Sequence, residues 1–293
     1  MRLRRFTVAL AATAFLISAC GGGDDDATTD VADKPSFEAG TTMARLADAG
    51  KITIGTKFDQ PGFGFKGLSE DPEGFDVEIA KIVAAKLGIE PDQITWTETV
   101  SAVREEVIAT DKVDMVVATY TINDKRKERI TFAGPYYQAG QQIMVKSDNS
   151  TITGPESFKA NPTAKVCSVT GSTPAENIKQ YLAAPDQLVT LPKYEDCEAA
   201  LRNGTDGVAA VTTDNVILLG FVSESDGAYK LVGEQFTEEP YGIGIKKGDT
   251  AFCEFINTTL KEASDSGDYK KAWDDTAGKT GQAAPTPPAV NRY

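Results

Sequence analysis

GSTPAEN (171–177) follows an apolar run and reads as the opening of a helix: Thr173 as N-cap, Pro174 at N1 and Glu176 at N3 make a capping box. A glycine ahead of two hydroxyls at a helix start also leaves backbone N–H groups and the positive dipole end for an anion such as a carboxylate. Capping alone explains the same residues. ATYTINDKRKERITFAGPYY (118–137) carries Thr119 and Thr121, then Arg126, then an aromatic turn. Taken by itself, Arg126 also reads as one solvated charge beside Lys125, Lys127 and Arg129. Histidine is absent, which removes the usual neutral-pH general base, Ser-His-Asp catalysis and every His-ligated metal site. The four cysteines lack CxxC spacing, so no metal centre is expected, and a cysteine nucleophile would lack its base. No cofactor is expected.

The 293 residues, 41% hydrophobic and 25% charged, fit one large domain or two. A net charge of −13 offers no footprint for phosphates, so a nucleic-acid partner is excluded. MRLRRFTVALAATAFLISAC (1–20) has a basic start and an apolar stretch, Phe6 to Ile17, too short to span a bilayer as a stable helix. It reads as a secretory signal. Ile-Ser-Ala-Cys resembles the bacterial lipobox, in which cleavage leaves Cys20 as an acylated N-terminus on the outer face of the cell membrane. Removing 1–19 takes away Arg2, Arg4 and Arg5 and no acid, leaving a net charge of −16, so an acidic ligand must be captured by local cations. Gly, Asp, Thr and Ala from Gly21 to about Ser36 make a leash with a reach of roughly 20–25 Å. GQAAPTPPAV (281–290) is too rich in proline for helix or sheet.

Between these ends, strands and helices must position the chemistry. KITIGT (51–56) is a predicted strand; 76–87 is a predicted helix with Val77, Ala80, Ala84 and Leu87 at helical spacing and Gly88 at C′. The alternation continues through strand 94–96, helix 102–110, strand 113–119, strand 164–170, helix 174–182, strand 187–191, helix 197–203 and strand 207–212. It predicts parallel α/β sheets, in two sets separated near 136–143, with a cleft between lobes. Cys167 on a strand and Cys197 on a helix of one lobe are the expected disulfide; Cys253 is left without a role.

GTKFDQPGFGF, GFDVEIAKIVAAKLG, the Thr-Ile-x-x-x-Arg run, CSVTGSTPAEN, AVTTDNVILLGF and YGIGIKK occur in that order between about Ile52 and Trp273. This ordered set resembles the substrate-binding proteins of polar amino-acid ABC importers, most closely the glutamate-binding lipoproteins of Gram-positive bacteria. The resemblance implies the type II periplasmic-binding-protein fold: α/β, with two lobes joined by a two-strand hinge. It divides the chain into a lipoprotein signal peptide (1–19), a flexible tether (20–40), lobe 1 (41–138 with 243–278), lobe 2 (139–242) and a disordered tail (279–293).

By the same resemblance, Arg126 pairs with the ligand α-carboxylate, helped by Thr119, Thr121 and the Ser172–Thr173 helix start. A planar guanidinium suits that task because it presents two parallel donors. Asp214 accepts from the α-ammonium; read locally, it is equally a helix N-cap. Lys57, Ser101 and Arg104 fall where acidic-amino-acid binders of the family place groups around the distal carboxylate, and otherwise read as surface groups. Asp59 and Gln60 replace an aromatic that many relatives stack over the ligand, leaving Phe58, Phe63 or Tyr241 for the apolar wall. The implied partners are L-glutamate or a similar amino acid, an ABC permease and, through it, a cytoplasmic ATPase, with a monomer as the default. A binder of aspartate, glutamine or another polar amino acid, a cyclohexadienyl-acid dehydratase of the same fold and a signalling sensor are the rival readings.

Overall fold

The computed structural model describes residues 30–290, so Cys20, the expected signal peptide and residues 20–29 of the expected tether lie outside the described residues. Residues 30–40 lie along the first lobe: Ala32 N–H donates to Ala85 O, and the Phe37 ring meets Phe255 edge-on at 5.5 Å. Helix α1 (Thr42–Ala49) is capped by Thr41. Strand β1 (Ile52–Thr56) then enters a sheet, and a hairpin of β2 (Asp59–Gln60) and β3 (Gly64–Phe65) leads to α2 (Phe75–Lys86). Helix α2 buries residues on every side, because it lies between the sheet and the two C-terminal helices. It ends with Leu87 as C-cap and Gly88 at φ +75°, a left-handed turn that suits glycine.

The lobe continues with β4 (Ile94–Glu98), a 3₁₀ turn at Ser101–Val103, α3 (Arg104–Ala109), β5 (Met115–Val116), α4 (Asp124–Lys127) and β6 (Thr131–Ala139). The chain then crosses into a second sheet as β7 (Gln141–Lys146). Here follow α5 (Ser157–Ala160), β8 (Lys165–Val169), α6 (Thr173–Asn177), β9 (Leu188–Leu191), α7 (Tyr194–Asn203), β10 (Val208–Asp214), α8 (Asn215–Ser223) and β11 (Tyr229–Val232). Strand β12 (Glu239–Ile245) returns to the first sheet, and α9 (Thr250–Ser266) and α10 (Asp268–Asp275) close it. The sheet orders are β4-β1-β5-β12-β6 and β11-β7-β10-β8-β9.

The expected two α/β lobes are present, but the sheets are mixed rather than parallel. Pairs β1/β4, β1/β5, β8/β9 and β8/β10 are parallel, whereas β12/β5, β12/β6, β7/β10 and β7/β11 are antiparallel. Each of these antiparallel pairs involves a strand that passes between the sheets: β7, entered from β6 through one residue, or β12, which returns. At the crossing, Glu239 of β12 pairs with Ala139 of β6. Strand β5 is also shorter than the predicted 113–119, because Thr119 turns to φ +43° and leaves the ladder.

Beneath the crossing, Phe63, Phe75, Tyr137, Tyr241 and Trp273 form an aromatic cluster, with Tyr137 stacked on Trp273 at 5.4 Å. Residues 281–290 contain no helix or strand; Gln282 O accepts from Trp273 Nε1, and Pro287 to Val290 wall one side of a hollow whose other side includes Leu260 and Tyr269. No helix among the described residues is long and apolar enough to cross a membrane.

The Cys167–Cys197 disulfide is present and ties β8 to α7 with a Cα–Cα distance of 5.5 Å. Cys253 is buried, its thiol donating to Phe132 O at 3.3 Å, which gives it a packing role. Closing a loop of about 30 residues stabilises by up to about 4 kcal/mol through the unfolded chain's lost entropy. The double variant C167A/C197A is expected to lose about 2–4 kcal/mol in urea unfolding at an otherwise two-state transition. An unchanged midpoint would show that the loop closure contributes nothing.

Candidate functional site

The lobes meet face to face. Gly171 of the second lobe, at φ +79°, sits so close to the 3₁₀ turn of the first that a Cβ there would lie 2.9 Å from Ala102 Cα. Glycine is needed at that position for the conformation and for the approach. The expected site residues converge on this junction.

Arg126, at 6% exposure, lies on α4, whose N-cap Asn123 accepts from the Arg126 N–H. Its Nε faces Glu105 Oε1 at 3.2 Å, one terminal nitrogen donates to Thr121 O at 2.6 Å and the other to Gly171 O at 3.3 Å, across the lobes. A guanidinium has five N–H donors, so one on each terminal nitrogen remains for a ligand. Burial, then the nearby Arg104 charge, lowers its pKa to about 10.

Lys57 follows β1, is fully buried and donates to Ser101 Oγ at 2.9 Å. Desolvation, reinforced by Arg104, brings its pKa down to about 7. Arg104, 2% exposed, spends one terminal nitrogen on Ala118 O at 2.7 Å, while its buried Nε has no hydrogen-bond partner. Three cations thus share one buried space, a costly arrangement unless anions enter it.

Asp214 ends β10 and stands on the opposite lobe. Its Oδ2 accepts from Tyr241 OH at 2.6 Å, and its buried Oδ1 lacks a partner. Burial, then repulsion from Glu239, raises its carboxyl to about 8. An ammonium group beside Oδ1 would supply the missing counter-charge. Although Asp214 occupies the N-cap position of α8, its side chain makes no capping bond, so the capping reading fails.

The Ser172–Thr173 start differs in detail from the sequence expectation. Ser172, not Thr173, is the N-cap, accepting from Ala175 N at 3.1 Å, and α6 ends at Asn177 where a 3₁₀ turn takes over. Thr173 is thereby released for the site: its hydroxyl lies 2.8 Å from Glu239 Oε2 and 3.3 Å from Thr121 Oγ1. Glu176 pairs with Lys179 on the surface instead of closing a capping box. The Thr119 hydroxyl sits between Ala118 O and Gln60 Oε1, and its N–H donates to the buried Asp76 at 2.6 Å.

Of the three rings expected for the apolar wall, Tyr241 stands at the site, bonded to Asp214. Phe63 belongs to the aromatic cluster of the first lobe, and Phe58 lies under Lys66 at 5.3 Å. The ring between the cations is Tyr120, with Arg104 4.1 Å and Arg126 5.0 Å from its centroid. Alternation puts Thr119 and Thr121 on one face and Tyr120 on the other, so the sequence alone reads this ring as core. Glu239, Asp59, Gln60 and Glu98 also reach the junction, although no local pattern marks them.

The family model of bacterial extracellular solute-binding proteins, family 3, matches residues 52–275. The chain is 37% identical to the glutamate-binding protein GluB of Corynebacterium efficiens over 84% of its length and 85% of that protein's. It is 34% identical to the ABC transporter glutamine-binding protein GlnH of Bacillus subtilis, over 88% of this chain and 90% of that one. The solved structure of an ancestral arginine-binding protein bound to glutamine superposes with a TM-score of 0.71 at 33% identity, covering 78% of this chain and 97% of that one. The family model spans most of the described residues and the fold is shared with a solved relative at 33% identity, so the chain belongs to the family 3 bacterial extracellular solute-binding proteins.

Proposed function

We propose that this protein is the receptor of an ABC importer for L-glutamate, held outside the cell membrane through an acylated Cys20 and delivering its ligand to the permease. The observation that carries the ligand is the cation set: Lys57, Arg104 and Arg126 are all buried at the junction of the lobes, with Asp214 facing them from the second lobe. Glutamate has two carboxylates and one ammonium. Arg126, Thr121 and Thr173 take the α-carboxylate, Asp214 takes the ammonium, and Lys57, Ser101 and Arg104 take the side-chain carboxylate, with Thr119 and Ser172 fixing the surrounding backbone and Tyr241 orienting Asp214. Because these groups come from both lobes, ligand favours the closed state by differential contact, and closure is the signal to the permease.

Glutamine is the second reading, and one observation favours it: a lysine depressed to about 7 is partly neutral at neutral pH and tolerates an amide. Calorimetric titration of residues 21–293, stripped of ligand by reversible unfolding, distinguishes the two. Glutamate is expected to bind at least about tenfold more tightly than glutamine, with aspartate, asparagine, histidine and arginine weaker still. Tighter binding of glutamine, or silence toward both acidic amino acids, would overturn the assignment.

A further inference from the structure

The Asp59 carboxylate reaches the other lobe. Strand β2 lies against α7 and α8, and Asp59, 3% exposed, accepts from Tyr194 N–H at 2.7 Å. Tyr194 is the first residue of α7, whose N-cap Lys193 makes no capping bond with its side chain. Helix α7 therefore has an orphan N–H at its positive end, and a carboxylate from the first lobe satisfies it. Beside it, Lys193 Nζ lies 2.6 Å from Glu98 Oε1 at the end of β4. Both bonds join the lobes. The end of α7 they hold is itself stapled to β8 through Cys197, one turn further along.

We infer that Asp59 and Glu98 form a latch on the N-terminal end of α7, which sets the affinity for ligand by stabilising the closed lobes. The inference rests on the ligand-binding reading above but not on which amino acid is bound. The two contacts differ in weight. The Asp59 bond is charge-assisted and dry, whereas Glu98 and Lys193 are about one-third exposed and screened by water. Opening the lobes exposes the carboxylate and the α7 N–H to water, so the latch is a difference between the two states. Affinity then scales with the fraction of molecules able to close.

The test uses Asp59→Asn and Lys193→Met in the protein lacking its anchor, with one fluorescent dye on each lobe. Energy transfer without ligand reads the closed fraction; stopped-flow binding of glutamate and glutamine reads the rates. Asp59→Asn is expected to lower the ligand-free closed fraction and raise the dissociation constant for glutamate about tenfold, mostly through faster release. Lys193→Met, remote from Lys57, is expected to weaken glutamate and glutamine by one common factor of about two to three. An unchanged closed fraction in both variants would overturn the latch. So would a changed glutamate-to-glutamine ratio in Lys193→Met, since that side chain would then act on the ligand. A failed glutamate assignment would instead appear in the wild-type titration and leave the dye signal of the ligand-free variants intact.

Discussion

Replacing Arg126 by alanine is expected to weaken glutamate binding by between about 150-fold and a few thousandfold, close to abolition in calorimetry. The guanidinium is held on three sides by Glu105, Thr121 O and Gly171 O, which leaves two donors in fixed directions. Removing it takes away the partner of a buried carboxylate and also the bond to Gly171 that joins the lobes, so both ligand contact and closure suffer. Breaking a buried ion pair from one side costs about 3–5 kcal/mol, a factor of about 150 to 4,000. Lysine is not expected to rescue, because a point charge cannot hold Thr121 O, Gly171 O and a carboxylate in one plane. Loss should be equal for glutamate and glutamine, whose α-carboxylates are the same. Thermal unfolding without ligand separates lost binding from lost folding: retained binding above about one-tenth of wild-type affinity in a folded variant would remove Arg126 from the site.

Much of the architecture was legible because it is written locally. The apolar spacing of Val77, Ala80, Ala84 and Leu87, ended by Gly88, marks a helix, and the observed one agrees within a residue. The same holds for β8, whose short apolar run is buried on both faces, and β9 lies half-buried beside it at the sheet edge. What local pattern omits is where the chain changes lobes. The direction of strands β6, β7 and β12 follows from passage between the two sheets, which no local run of residues records. The N-terminal end of α7 was placed three residues late, because Tyr194, Glu195 and Asp196 carry no side-chain cap; its N–H partner, Asp59, lies 135 residues away. The ordered family motifs supplied the candidate site residues, but not Tyr120 or Glu239. A tyrosine between two threonines reads as core, and only the left-handed turn at Thr119 sets its ring against both arginines.

The second large effect is expected at Lys57, where Lys57→Met should weaken glutamate about a hundredfold and glutamine less than about fivefold. Methionine keeps the stem's volume and removes only the charge, so the difference reports the distal carboxylate. The pH profile tests the same assignment in the unmodified protein. With the lobes together and no ligand between them, Lys57 is depressed to about 7 and Asp214 raised to about 8, each chiefly by burial. A carboxylate beside Lys57 favours its charged form, so glutamate binding takes up a proton, and affinity falls by up to about tenfold per unit as pH rises above the ligand-free value. An ammonium beside Asp214 favours the carboxylate, so either amino acid releases a proton there, and affinity rises with pH until about 8. Glutamate affinity is therefore expected to peak between about 7 and 8, and the falling limb should vanish in Lys57→Met. Glutamine affinity should climb and level off, since no charge near Lys57 rewards the added proton. Calorimetry in two buffers of different ionisation enthalpy reads these protons directly: net release below the peak and net uptake above it. Equal losses for glutamate and glutamine in Lys57→Met, or a glutamate profile lacking its alkaline limb, would place Lys57 away from the side chain and leave Arg104 as the only candidate for its carboxylate.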